Sequence, residues 1–273
     1  MSIGSRIAGA RIRRGLTQGK LAEMVDVTFQ AISTWERDES LPDTRHLIAL
    51  AQALNVSLDS LLPEQEDPGW KLNTPGFNPE RMYTYVKTRA QAANLTQTLA
   101  ALPLMRRKHE GQFRKGMVES VPYYVHPLTL ACHALAMGIE DDNVLAAALL
   151  HDVLEDTPTR PEELPVSDRV REAVCLVSYN TYDGKKSDIK PIYYQNIGNH
   201  PLAALIKCID RCNNLSCMAD GFDRPKMRTY VLETEKYVLP LLDVIREVPA
   251  YNNAAWLLRY QIMALLETFK RLL

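Results

Sequence analysis

The residues best able to do chemistry are His151, Asp152, Glu155 and Asp156, in the run His151-Asp152-Val153-Leu154-Glu155-Asp156-Thr157. His126-Pro127 lies upstream and Asp210-Arg211 downstream. Two imidazoles and two carboxylates, His126, His151, Asp152 and Asp210, form a ligand set for one divalent ion. Glu155 and Asp156 stand beside it to handle a water. A bound divalent ion lowers the pKa of its water and clamps a phosphoryl oxygen, so the expected chemistry is metal-dependent phosphohydrolysis. Imidazole with carboxylate suits manganese, iron or zinc, and the oxygen donors tilt the choice toward manganese or magnesium.

The elements around these residues must deliver them inward. Residues 144–150 are all apolar, Ala-rich and helix-favouring. A helix apolar all round is buried, so His151 and Asp152 are expected in the interior at its end. A buried, unpaired carboxylate costs several kcal/mol, which calls for a metal or another partner. Glu155 follows His151 by four residues and is expected on the same helical face. His126-Pro127 reads as a loop entering a helix, with Pro127 suited to the first turn. Asp210 closes the apolar run 203–209, with Asn214 one turn later. Taken singly, His-Pro is a helix start and Asp-Arg a helix end. His-Asp followed by Glu-Asp after a buried run has no such packing explanation.

The segment 107–112 (Arg107-Lys108-His109-Glu110-Gly111-Gln112) leads into a series of shorter motifs. These are Arg114-Lys115, Pro122-Tyr123, His126-Pro127, the stretch 149–157 and the stretch 207–215. Together they resemble the hydrolase domain of RelA/SpoT-type alarmone enzymes and the small alarmone hydrolases, over roughly 78–242. The resemblance implies an HD-type helical phosphohydrolase that removes the 3′-pyrophosphate of guanosine tetra- and pentaphosphate with one manganese ion. It implies His126, His151, Asp152 and Asp210 as metal ligands, and Glu155 and Asp156 as the pair activating water. It implies Arg114 and Lys115 at the base or ribose, Tyr123 and Asn214 near the nucleotide, and a structural His109. The link 116–121 is longer than the family's, which leaves an adenosine alarmone open, as for an antitoxin hydrolase. No second, pyrophosphokinase-like region is expected. Cations should line the approach to so anionic a substrate. Lys185, Lys186 and Lys190, in the polar stretch 179–190, are candidates on a loop able to close over a ligand.

The first 62 residues are a separate object. Thr17 reads as the cap of a helix burying Leu21, Ala22 and Val25, Asp26-Val27 as a turn, and Thr28 as the cap of a second helix burying Ile32 and Trp35. Thr28, Gln30, Ser33, Thr34 and Arg37 are then outward, as a recognition helix needs. The pattern resembles the Cro/repressor-type, XRE-like helix-turn-helix domain. The resemblance implies Gln18, Thr28, Gln30 and Ser33 at bases or phosphates and Arg37 at the DNA backbone. Seven cations meet seven anions in 1–62, so a single copy should bind DNA weakly. A homodimer reading two half-sites would offset this.

The expected architecture is all-α: a five-helix DNA-binding domain over 1–62, an acidic, proline-bearing linker over 63–78, and the phosphohydrolase domain over 79–273. One long helical stretch is expected from Glu80 to about Ala101. At 273 residues and a net charge of −1 the chain can hold two cores. It shows no strand-like alternation, repeat or Gly-rich phosphate loop. Five cysteines (Cys132, Cys175, Cys208, Cys212, Cys217) without a Cys-x-x-Cys pair read as reduced core thiols. With no leader and no apolar run near transmembrane length, a cytoplasmic location and no membrane partner are expected. Two functional classes compete: an alarmone hydrolase fused to a DNA-binding domain, and a regulator whose metal-binding domain chiefly senses a nucleotide.

Overall fold

The computed structural model describes residues 2–56, 58–61, 78–114 and 121–273, without the side chains of Thr44, Leu58, Asp59 and Asp220. Lys115, the link residues 116–120 and linker residues 63–77 lie outside the described residues. The chain divides between residues 69 and 70 into two compact units. Both are helical. Among the described residues no strand forms, and one antiparallel bridge joins Phe113 to Pro122.

The first unit comprises α1 (Ile3–Arg13), α2 (Gln18–Met24), α3 (Phe29–Glu36), α4 (Thr44–Leu54) and α5 (Leu58–Leu61). Short polar residues start these helices, each accepting an otherwise unpaired backbone N–H. Thr17 accepts from Lys20, Thr28 from Ala31 and Asp43 from His46. Asp26 adopts φ 55° in the tight turn between α2 and α3, a conformation Asp tolerates better than most residues. Ile7, Leu21, Ile32, Leu50 and Leu54 form the core. Gly4 has a steric reason: a Cβ there would overlap the Trp35 carbonyl, so only glycine lets α1 approach α3.

The second unit begins with α6 (Pro79–Ala92), α7 (Thr96–Lys108), α8 (Val125–Ala136), α9 (Asp142–Leu150) and α10 (Val153–Asp156). It continues with α11 (Asp168–Val177), α12 (Lys186–Gly198), α13 (Pro201–Gly221), α14 (Arg224–Glu233), α15 (Leu241–Arg246) and α16 (Asn252–Leu272). A π-turn over Thr234–Val238 separates α14 from α15. Helix α9 is central and packs against α7, α8, α11 and α13. All of Val144 to Leu150 is buried, and each fully buried Val or Leu contributes roughly 1.5–3 kcal/mol relative to exposure. Asp141 caps α9 through Asn143 and Val144 N–H. Its neighbour Asp142 accepts from the backbone N–H of Gln97 and Thr98 at 3.0 and 2.8 Å. One acidic pair therefore starts α9 and ties down the start of α7, whose own cap residue Leu95 makes no side-chain bond.

Three expected elements differ. The long helix from Glu80 is two helices, because Asn94 takes φ 54° and turns the chain between α6 and α7. The stretch 144–156 is not one continuous helix. α9 stops at Leu150, His151 and Asp152 form a turn, and α10 is four residues long. Asp210 is not at a helix end but near the middle of the 21-residue α13. None of the five cysteines is in a disulfide, and Cys208, Cys212 and Cys217 are buried on α13. Among the described residues no helix is long and apolar enough to cross a membrane.

Candidate active site

Three elements bring four side chains to one point. The first turn of α8 supplies His126, the turn after α9 supplies His151 and Asp152, and the middle of α13 supplies Asp210. His126 Nε2 and His151 Nε2 are 3.2 Å apart. Asp152 Oδ2 lies 3.0 Å from His151 Nε2 and 3.5 Å from His126 Nε2. Asp210 Oδ1 lies 3.3 Å from His126 Nε2 and 4.0 Å from His151 Nε2. The ligand atoms of His126, His151 and Asp152 all fall within 4.8 Å of one another.

The outer contacts set which atoms point inward. His151 Nδ1 stands 2.8 Å from the Ala148 carbonyl, and His126 Nδ1 stands 2.7 Å from Asn213 Oδ1. Both oxygens can only accept, so each Nδ1 carries a proton and each ring turns its Nε2 inward. Metal-binding histidines are oriented by contacts of this kind. Asp152 Oδ2 accepts from Tyr123 Oη at 2.6 Å. Asp210 accepts from Lys207 Nζ on Oδ2 at 3.0 Å and from Asn214 Nδ2 on Oδ1 at 2.5 Å. Convergent nitrogen and oxygen acceptors, three of them buried, fit a divalent cation.

The field at this point favours positive charge. Burial alone would lower the His151 pKa, but the carboxylates of Asp152 and Asp210 outweigh it and push it up to about 9. Burial, with the Arg114 guanidinium nearby, lowers His126. Burial would raise Asp152 and Asp210, yet both stay well below the usual carboxylate range. The imidazoles offset it at Asp152, and Lys207 with His126 at Asp210. Burial and the Asp152 charge raise the Tyr123 phenol, which keeps its proton and remains a donor.

Beside this cluster opens a cavity of about 560 Å³, lined in part by Arg114, Tyr123, Asp156, Asn214, Phe222 and Lys226. Arg114 donates to Asn214 Oδ1 at 3.2 Å, and Asn214 donates to Asp210, which links the cavity wall to the cluster. Asp156 is exposed on this wall. Glu155 is half-buried and accepts from the Tyr179 backbone N–H at 3.2 Å and from Lys186 Nζ at 3.4 Å. Because of the break after α9, Glu155 does not continue a helical face from His151.

The predicted cations separate. Lys186, not Lys185, reaches Glu155, and its ammonium lies 3.9 Å from the centre of the Tyr179 ring. Lys185 is exposed at the start of α12. Lys190 is in the first turns of α12 rather than on a loop, and its Nζ lies 2.5 Å from Glu233 Oε2. Arg211, singled out only as the neighbour of Asp210, is buried. It donates to Glu233 Oε1 at 2.8 Å, Tyr194 Oη at 2.7 Å and Thr234 Oγ1 at 3.0 Å. Phe222 and Lys226 escaped the sequence reading, because the turn between α13 and α14 alone brings them to the cavity. His109 is buried and donates from Nδ1 to Gln112 Oε1 at 2.7 Å.

On the first unit, α3 presents Thr28, Phe29, Gln30 and Arg37 to solvent, with Ser33 half-buried. Arg37 donates to both Glu39 oxygens at 2.7 and 2.8 Å and also to Ser33 Oγ. Gln18 donates to Glu36 Oε2 at 2.7 Å, on the carboxylate that Arg11 grips at 2.6 and 3.0 Å.

Comparison with known proteins follows these two units. Residues 7–61 match the Helix-turn-helix family, and residues 123–224 match the HD domain family. The guanosine-3′,5′-bis(diphosphate) 3′-pyrophosphohydrolase of Aquifex aeolicus is 34% identical over 148 residues, 52% of this chain and 20% of that protein. This chain therefore spans about a fifth of that relative. The human guanosine-3′,5′-bis(diphosphate) 3′-pyrophosphohydrolase MESH1 is 33% identical over 141 residues, 49% of this chain and 78% of MESH1. The HTH-type transcriptional regulator ImmR of Bacillus subtilis is 41% identical over 66 residues, 24% of this chain and 52% of ImmR. A solved structure of a metazoan SpoT ortholog that hydrolyzes ppGpp superposes with a TM-score of 0.51 at 24% identity. The match covers 63% of this chain and 95% of that one, and shows a shared fold. The chain belongs to the HD-domain hydrolase family of these guanosine-3′,5′-bis(diphosphate) 3′-pyrophosphohydrolases, joined here to a helix-turn-helix unit.

Proposed function

We propose that this chain is a manganese-dependent hydrolase that removes the 3′-pyrophosphate of guanosine tetra- or pentaphosphate or a related alarmone, and that its first unit binds DNA as part of a homodimer. The observation that carries the reading is the convergence of His126, His151, Asp152 and Asp210 beside a cavity walled by a guanidinium. These four residues would hold the ion. When bound, a divalent ion lowers the pKa of a coordinated water and offsets charge on phosphoryl oxygens.

The rest of the work falls to the chain's own side chains. Asp156, on the cavity wall, would take a proton from the attacking water as the general base. Glu155 shares this task, and its carboxylate is oriented by the Tyr179 N–H and Lys186. Arg114 and Tyr123 bind the nucleotide, Asn214 aligns Arg114 with Asp210, and Lys115 adds charge on the same segment. Lys185 and Lys186 raise the local concentration of an anionic substrate. Lys190 acts indirectly, through Glu233 and Arg211.

The test is pyrophosphate release by purified protein with manganese, comparing guanosine tetraphosphate with its adenosine counterpart. Release that disappears in His151→Ala supports the hydrolase and reports its base preference. No release from either nucleotide, with metal and nucleotide still bound, overturns it in favour of a nucleotide-sensing regulator.

A further inference from the structure

Helix α3 opens with an exposed aromatic ring. Phe29 is its first residue, directly after the Thr28 cap, and is 52% exposed. Most of the polar side chains expected to read DNA are already engaged within the unit. Thr28 Oγ1 accepts from the Ala31 N–H at 3.2 Å. Ser33 Oγ accepts from Arg37, whose guanidinium is forked onto Glu39. Gln18 is held on Glu36 beside Arg11. Among the described residues Gln30 makes no side-chain hydrogen bond, and it sits next to Phe29 on the exposed start of the helix.

We infer that Phe29 is a specificity-determining residue of the helix-turn-helix unit, its ring covering the C5-methyl group of a thymine in the major groove. This rests on the reading that the unit binds DNA. The N-terminal residues of a recognition helix are the ones that meet base edges. The thymine methyl is the apolar group a base pair offers in the major groove, and a phenyl ring is suited to it. The unit has no net positive charge to draw it onto phosphates, so contacts to base edges must carry a larger share of binding. Gln30, adjacent to the ring, can take the edge of an adenine.

The experiment uses the full chain and a random duplex pool to obtain an enriched site. Each thymine of that site is then replaced by deoxyuridine, which removes only the methyl group. The expected result is roughly fourfold weaker binding by the native chain at one position in each half-site. Phe29→Ala should bind the thymine and deoxyuridine duplexes equally, and Phe29→Leu should keep part of the difference. Native binding unchanged at every deoxyuridine, or a methyl effect undiminished in Phe29→Ala, would overturn the assignment while leaving DNA binding intact. If the native chain enriches no sequence, the DNA-binding reading itself fails, and this inference with it. Phe29 is exposed, so the unfolding midpoint of Phe29→Ala should match the native one, which separates lost contact from lost fold.

Discussion

At the candidate metal centre the two histidines are oriented by different kinds of acceptor, and the difference is testable. His151 leans on the Ala148 carbonyl, which no side-chain substitution removes. His126 leans on the Asn213 side chain. Asn213→Ala should leave His126 without the contact that fixes its tautomer. Outer contacts of this type are typically worth 10–100-fold in metal affinity, so manganese binding measured by calorimetry should weaken by about that factor, with helical content unchanged. Native-like affinity in Asn213→Ala would show that packing alone aligns His126. The carboxylates after the turn differ in kind. Neither is buried with the ligands, and Asp156 faces the cavity. Glu155→Gln and Asp156→Asn keep shape and remove basicity. Each should lower turnover by roughly 10²–10⁴-fold, the usual range for a general base, while metal and nucleotide still bind. Persistent turnover in both would mean that another group takes the proton.

At the scale of elements, α13 and the π-turn after α14 are bolted together by charge. Glu233 accepts from Lys190, Arg211 and Tyr194. Burial would raise its pKa, but these donors outweigh it and hold it at about 2, against an ordinary value of 4.5. A carboxyl lowered by folding stabilises the fold above its unfolded pKa and loses that contribution as pH falls toward the folded one. The stabilisation, at most on the order of 3 kcal/mol and less after solvent screening, should therefore be complete above about pH 4.5–5 and fade between there and pH 2. Glu233→Gln should flatten this part of the curve of unfolding free energy against pH, and it leaves Arg211 buried without its counter-charge. An unchanged acid limb would show that the network contributes nothing net. This network was poorly legible in the sequence, because Lys190, Arg211 and Glu233 lie on three different helices. What could be read was local. The caps Thr17 and Thr28 and the buried run ahead of His151 follow from residue types alone. The four residues that converge were legible because apolar runs precede His151 and Asp210. The turn at Asn94, the break after Leu150 and the continuation of α13 past Asp210 were not, since tertiary packing decides whether a helix stops. The polar stretch 179–190 read as a loop, yet packing of Ile189 and Tyr193 winds its second half into α12.

The described residues of the whole molecule form two hydrophobic cores that share no residue, one built on Leu21, Ile32 and Leu50, the other around α9 and α13. A ligand stabilises only the cooperative unit that binds it, by RT ln(1 + [L]/Kd), or about 2.7 kcal/mol at a hundredfold excess over Kd. Manganese should therefore raise one calorimetric unfolding transition and leave the other in place. For a unit of this size each kcal/mol moves the midpoint by roughly 2–4 °C, so a shift of about 5–10 °C is expected. Chelation should reverse it, and His151→Ala should abolish it. An enriched DNA duplex should instead move the transition that manganese leaves alone. That second shift should depend on protein concentration, because a unit with balanced charge gains enough affinity only by placing two copies on two half-sites. The decisive comparison is manganese and duplex added together. Additive, separate shifts mean that hydrolysis and DNA binding are housed in independent units. A duplex-induced shift in the manganese-sensitive transition would instead reveal a coupling free energy between the sites, and by reciprocity manganese or nucleotide would then change DNA affinity by the same factor.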